Sequence, residues 1–315
     1  MRKVMLNVIN NQDDLHSISV DVPAISEIPD TPKQEKSDAV MRRCVAINSA
    51  SSPSTLEMLA SDKSIQVRRA VASNPSTGYS ALVNLASDED WIVRRNVAIR
   101  ASLPFDIMTI LIRDNNANVR SNLAASSSIP FELFIKLAHD YDNDVRCRVA
   151  SSPLATPEML AELATDTISQ VRVNVAWNEN TPLDTLRHLA KDEDAPVRRA
   201  VAENPGTPPD ALLSLAADDT WTIRQSVAGN PSTRSSTLAK LGEDKSHKVR
   251  QAVARNSNTS PYVLEILISD EYPSVRQEAH RQLTEHAPQA PGFSHGVKER
   301  FIYFVDVQHS ITPLK

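Results

Sequence analysis

Ten arginines follow one another at steps of 26 residues: Arg42, Arg68, Arg94, Arg120, Arg146, Arg172, Arg198, Arg224, Arg250 and Arg276. Each comes directly after an apolar residue. Nine of them have an aspartate six residues earlier: Asp62, Asp88, Asp114, Asp140, Asp166, Asp192, Asp218, Asp244 and Asp270. A line of guanidinium groups at one phase would bind phosphate or an acidic peptide. Carboxylates arriving in equal rhythm cancel the field a phosphate would feel. We therefore read the pairs as a structural ladder. Each Asp caps a turn between helices, and each Arg bonds that Asp or its neighbour's, in the planar two-point geometry that guanidinium and carboxylate favour.

A second column could bind. Where Ala70, Ala200 and Ala252 are small, the middle repeats carry Asn96, Asn122, Arg148 and Asn174. A run of amides could hydrogen-bond an extended peptide or a nucleotide; the alternative is a partly exposed column where Asn costs little. Trp177 shares its column with Ile47, Ile99, Glu203 and Arg255, a mixture expected of an exposed position. Exposed tryptophan often marks an interaction hot spot. Trp91 and Trp221 share a different column, five repeats apart, and are read as plugs at the edge of the core. These five positions (Asn96, Asn122, Arg148, Asn174 and Trp177) are the candidate partner contacts.

Other chemistry finds little support. His139, His188, His247 and His280 do not stand near acids at metal-ligand spacing, and Cys44 and Cys147 are too few for a thiolate metal site. No Gly-rich phosphate loop, nucleophile elbow or HExxH motif occurs. Glu162 and Asp210 suit helix capping or a solvated surface. The expectation is a protein without cofactor, metal or catalytic activity. The formal charge of −5 argues against a dedicated nucleic-acid binder. Neither a signal peptide nor a long apolar span is visible, so a cytoplasmic setting without membrane attachment is expected.

The elements that hold these residues follow from the same period. Val or Leu and then Ala come three and four residues after every one of these Arg but the last, as in Val71-Ala72, Leu123-Ala124 and Val201-Ala202. Leucine returns at 59, 85, 111, 137, 163, 189, 215, 241 and 267. Each repeat reads as two short helices. The first ends at Asn-Pro, as at Asn74-Pro75 and Asn204-Pro205, where Asn is expected to take the left-handed closing conformation. The second is expected to start at a threonine cap, as in Thr207-Pro208-Pro209-Asp210 and Thr181-Pro182-Leu183-Asp184. With only about seven residues, the first helix should be partly 3₁₀. Such helices are marginal alone, so stability must come from stacking. The fold expected is all-α, a right-handed superhelical solenoid of about ten 26-residue two-helix repeats with a concave face.

The repeat V-R-x-A-V-A-x-N-P-x-T-P resembles the leucine-rich repeat variant family, most closely over Val197-Arg198-Arg199-Ala200-Val201-Ala202-Glu203-Asn204-Pro205-Gly206-Thr207-Pro208. The Asp and Val-Arg signature is also similar to that of HEAT-like repeats. The resemblance covers residues 41 to about 287. It implies alternating α and 3₁₀ helices in a right-handed superhelix, and it implies little about function. One member of that family carries an iron–sulfur cluster on a cysteine-rich N-terminal segment; residues 1–43 here contain no cysteine, and the cofactor is not carried over.

Three regions are expected: an extension over 1–37, partly extended around Ser17–Val22; the solenoid over 38–287; and a tail over 288–315. The apolar stretch Arg300-Phe301-Ile302-Tyr303-Phe304-Val305-Asp306-Val307 should fold back on the last repeat, with pairing to Val4–Ile9 or docking on a partner as alternatives. Function is expected to be protein binding on the concave face. The second reading is a nucleic-acid binder or a glycosylase built of HEAT-like repeats, in which Arg148, Arg172 and Trp177 would serve a flipped base. The third is a structural or regulatory subunit. Neither the partner nor the oligomeric state is written in the sequence.

Overall fold

The computed structural model describes residues 3–7, 17–21 and 32–286. The chain divides into two compact blocks, Met1–Leu154 and Ala155–Lys315.

The first block opens with an antiparallel pair, β1 (Lys3–Asn7) and β2 (Ser17–Asp21), in the register Lys3↔Asp21 to Asn7↔Ser17. The first strand therefore has a partner within the N-terminal extension. The segment 300–307 lies outside the described residues. Nine helices follow: α1 (Pro32–Ile47), α2 (Pro53–Leu59), α3 (Ile65–Ser73), α4 (Tyr79–Leu85), α5 (Trp91–Ala98), α6 (Phe105–Leu111), α7 (Ala117–Ala124), α8 (Phe131–Ala138) and α9 (Asn143–Ala150). The second block contains α10 (Pro157–Leu163), α11 (Ser169–Trp177), α12 (Leu183–Leu189), α13 (Ala195–Glu203), α14 (Pro209–Leu215), α15 (Trp221–Gly229), α16 (Ser235–Leu241), α17 (His247–Arg255), α18 (Pro261–Leu267) and α19 (Pro273–His286).

Within each block the first helices of successive repeats stack directly, α1 on α3 through to α9 and α11 on α13 through to α19, with the second helices alongside. Every step is the same layer. Val67, Val71 and Ala72 are fully buried, as are Val93, Val97 and Ala98, and Val197, Val201 and Ala202. The small Ala lets backbones approach, and Leu85, Leu111, Leu189 and their counterparts fill the space behind. Each fully buried Val or Leu stabilises by roughly 1.5–3 kcal/mol, and that burial becomes available only when a neighbouring layer arrives.

The architecture is all-α, but three local expectations change. Among the described residues every helix is α-helical, and the first helices α3, α5, α7 and α9 run eight or nine residues with no 3₁₀ turn. They start early because Asp Oδ1 accepts the backbone N–H two residues on, as from Ser64, Asp90 and Thr220, at 2.8–2.9 Å. The closing Asn is extended rather than left-handed: Asn74 sits at φ −73°, ψ 125° and Asn204 at φ −70°, ψ 121°. The proline that follows favours that region, and the extended backbone aims the amide at the preceding repeat. Thr207 and Thr181 do not cap the second helix. They are buried and donate at 2.6 Å to the carbonyls of Val201 and Val175, inside the first helix. The cap position falls one residue later, where Ser52, Thr156 and Ser260 accept from the helix backbone.

The Asn amides form a seam. Asn230 Nδ2 donates to the carbonyls of Ala202 and Asn204, both at 2.8 Å, and Oδ1 accepts from Ser232 N–H at 2.8 Å. Asn204 and Asn256 repeat this on their own neighbours. In the first block Asn74 does the same toward Ala46 and Asn48. Arg100 replaces Asn in the next repeat and reaches the equivalent carbonyls of Ala72 and Asn74 through its guanidinium. Ser126 and Ser152 keep the short turn bond, at 3.4 and 3.2 Å, and the Thr column there becomes apolar: Leu103, Ile129 and Ala155.

Asn230→Ala strands two buried carbonyls and a turn N–H, and should cost about 2–3 kcal/mol. Urea unfolding should show a lower midpoint, and hydrogen exchange should quicken first in α13 and α15. Unchanged exchange there would mean that the seam contributes nothing to stacking.

Candidate functional site

The repeating charges occupy the joints between layers. In the first block Arg68 Nε stands 2.7 Å from Asp88 Oδ2 and Nη2 stands 3.1 Å from Oδ1, one repeat ahead. Its Nη1 donates back to the carbonyl of Asp62 at 2.9 Å. Arg68 thus clasps the carboxylate of the next repeat and the backbone just ahead of its own helix. Arg42–Asp62, Arg94–Asp114 and Arg120–Asp140 form the same ion pair. Arg172–Asp192, Arg198–Asp218, Arg224–Asp244 and Arg250–Asp270 form it in the second block. Arg146 donates to the Asp140 carbonyl at 2.7 Å, and Asp166 accepts from Ile168 N–H at 2.8 Å. At the end Arg276 donates to the Asp270 carbonyl at 2.6 Å.

Arg120 is 2% exposed and lies 4.3 Å below the ring of Tyr141, so its charge is shielded as well as paired. The pairing acts on the acids too. Burial works against ionisation of Asp192, Asp218, Asp244 and Asp270. The hydrogen bonds from their arginines and from backbone N–H groups, with Coulombic attraction, outweigh it and hold all four below the usual carboxylate value. The arginines are raised, first by the hydrogen bond to their aspartate.

The Asn column is less open than the sequence suggests. In the first block Asn96 is 9% exposed; it donates to the Arg69 carbonyl at 3.3 Å and accepts from Arg95 at 3.2 Å. It is a packing residue, its amide turned onto the preceding first helix. Asn122 is half-buried and donates to the Asn118 carbonyl at 2.7 Å; Arg148 is exposed. In the second block Asn174 is half-buried and accepts from Gln170 at 3.2 Å, while Trp177 stands 50% exposed at the end of α11. The expected continuous row of open amides therefore fails at Asn96. Trp91 is half-buried under Arg95, and Trp221 carries Lys248 at 4.9 Å from its ring centre.

The sequence reading missed a third column. Tyr79, Phe105 and Phe131 are the first residues of α4, α6 and α8 and are all exposed. Their 26-residue spacing was the available signal. Between α6 and α8 lies a cleft of about 150 Å³ floored by Ile112, Leu133 and Leu137. Among the described residues no group of three or more His, Cys, Asp or Glu side chains is arranged to hold a metal, and no helix is long and apolar enough to cross a membrane.

A family profile described as "Leucine rich repeat variant" matches residues 196–219, one full layer step containing Arg198 and Asp218. A solved structure described as a leucine-rich repeat variant with a novel repetitive structural motif overlays with a TM-score of 0.54 at 29% identity, over 64% of this chain and 80% of that one. The repeats of this chain are similar to leucine-rich repeat variant repeats. Weaker overlaps occur with a chain of the Kap95p–RanGDP structure (12% identity, 83% of this chain and 46% of that one, TM-score 0.45) and with a computationally designed armadillo repeat protein for modular peptide recognition (18%, 80% and 94%, 0.19). No curated protein matches the sequence. In this chain the recurring columns are accounted for by joint construction: Arg and Asp lock layers, Asn and Thr lock turns.

Arg120→Ala leaves Asp140 buried without its cation and should cost about 3–5 kcal/mol. The double change Arg120→Met with Asp140→Leu should recover most of that. Urea midpoints of the three proteins measure it; equal midpoints would show an idle pair. The depressed carboxylates of the second block set a pH dependence. Their stabilisation is present above the ordinary aspartate value near 3.9 and is lost as pH falls through the lower folded values. Exchange protection of α11–α19 should therefore hold down to about pH 4 and fall below it. Loss of protection between pH 7 and 5 would contradict this assignment.

Proposed function

We propose that the protein is a non-catalytic scaffold that binds a protein partner, along the concave side expected of such a stack, in the cytoplasm. The binding array is residues 38–287, between the N-terminal extension (1–37) and the C-terminal tail (288–315). The observation that carries this reading is how the repeating charges are used. The arginines most suited to holding phosphate already hold carboxylates, while bulky apolar side chains that layer packing does not require stand in solvent, Trp177 foremost among them. Half-exposed tryptophan is a common centre of protein–protein affinity. Arg148 is exposed in the first block and serves the same reading as a rim charge.

The nucleic-acid alternative needs unpaired cations, and Arg172, one of the residues it would use, is bonded to Asp192 and Asp194. A role as a regulatory subunit differs from the scaffold reading only in the partner's own activity.

Affinity capture from the native host, with the wild-type chain and Trp177→Ala side by side, tests the proposal. A partner retained by the wild type and lost by the variant, with equal urea midpoints, is the expected result. A salt-sensitive mobility shift with short DNA, unaffected by Trp177→Ala, would replace this reading with the nucleic-acid one.

A further inference from the structure

The outward side of α4, α6 and α8 bears aromatic residues outside the buried columns. Tyr79, Phe105 and Phe131 are 56, 50 and 57% exposed; the Tyr79 hydroxyl donates to Asp106 of the next repeat, and Ile135, four residues after Phe131, is exposed on the same side of α8. The equivalent first positions in the second block are Pro157, Leu183, Pro209, Ser235 and Pro261. The fold asks only for a residue that can open a helix, and proline does that well. The outward side of α12 and α14 is instead covered by Arg187 bonded to Asp184 and Asp210. Phe105 and Phe131 therefore cost solvent exposure beyond what opening a helix requires.

Two cations stand toward the C-terminal ends of α6 and α8, whereas the exposed acids that follow the aromatics, Asp106 (bonded to Tyr79) and Glu132, stand at the opposite ends. Arg113 and Lys136 form the rim of the cleft between α6 and α8. Both are exposed, and neither makes an ion pair with any described residue. The one carboxylate in the cleft wall, Asp140, is held by Arg120.

We propose that this face docks an acidic amphipathic helix of a partner protein. Packed layers repeat every 8–10 Å or so, and seven residues of an α-helix advance about 10.5 Å. Apolar residues a heptad apart would meet Tyr79, Phe105 and Phe131 in turn. An extended strand offers same-side residues about 6.6 Å apart and falls out of step. The second helices are about 10 Å long, close to the 10–12 Å diameter of a helix. A helix lying over the aromatic row would thus set its flank above Arg113 and Lys136, where Glu or Asp completes the charge. The cleft receives one apolar side chain from that flank. This deepens the scaffold reading, because it also requires a protein ligand, but it uses a surface separate from Trp177.

Two fluorescein-labelled synthetic helices of about 18 residues, five turns, test it against the full chain by anisotropy. Both carry leucine a heptad apart; one has glutamates on its flanks and the other lysines. The glutamate helix should bind and the lysine helix should not. Phe105→Ala with Phe131→Ala should weaken binding at least about tenfold, and Arg113→Glu with Lys136→Glu should exchange the preference. All four side chains are exposed, so urea midpoints should stay the same. Equal binding of both helices, or no loss with the Phe pair, overturns the proposal. Self-association of the free chain that the Phe pair abolishes, without glutamate-helix binding, also overturns it and assigns the face to a second copy. The Trp177→Ala capture above can succeed or fail independently of these results.

Discussion

A guanidinium held between two repeats is the interaction on which the structure depends. Arg94 spends one nitrogen on the backbone carbonyl six residues behind it and two on the carboxylate twenty residues ahead. That aspartate meanwhile uses Oδ1 to start the next first helix. One side chain therefore ties a turn, a helix start and the neighbouring layer together. A buried ion pair gains little net stability, because desolvation offsets attraction. What it contributes here is register: a layer that slipped would leave two charges buried without partners. The driving energy comes from the Val, Ala and Leu columns, and the ladder decides which alignment of those columns is allowed.

The Asn and Thr columns do the same work on the opposite end of each first helix. Asn230 connects the turn of its own repeat to two carbonyls of the preceding one, and Thr233 closes the last turn of α15 through Val227. Where the first block gives up Asn it loses Thr as well, and Arg100, Leu103 and Ile129 fill the space with reach or apolar bulk. Repetition tolerates such exchanges because each layer needs only to satisfy its neighbours. The consequence for function is that little of the repeated chemistry remains for a ligand. A binding role would rest on exposed positions at which the repeats differ, such as Trp177.

Much of this architecture was written in the period. Twenty-six-residue recurrence of Arg, Asp, Leu and Val-Ala, in a chain with almost no glycine, specified short stacked helices and paired charges, because each column can be explained only by a neighbour placed identically. Local chemistry of one residue type was also readable, such as proline at helix starts. What one-dimensional spacing left open was direction. Asp62 lies six residues before Arg68 in sequence, yet Arg68 takes only its carbonyl and gives its charge to Asp88. Asn204 reads as a helix terminator, and only the extended backbone shows its amide turned toward the previous repeat. Thr207 reads as a cap for the helix after it and instead belongs to the one before. Exposure was undecidable for the same reason: Asn96 and Asn122 share a column, but Asn96 bonds the Arg69 carbonyl of the preceding layer while Asn122 bonds Asn118 in its own helix. Sequence determined which residues recur and therefore that layers must stack; tertiary structure decided which way each polar group turns, because a hydrogen bond is chosen by distance and angle across the joint, and neither exists until two layers meet.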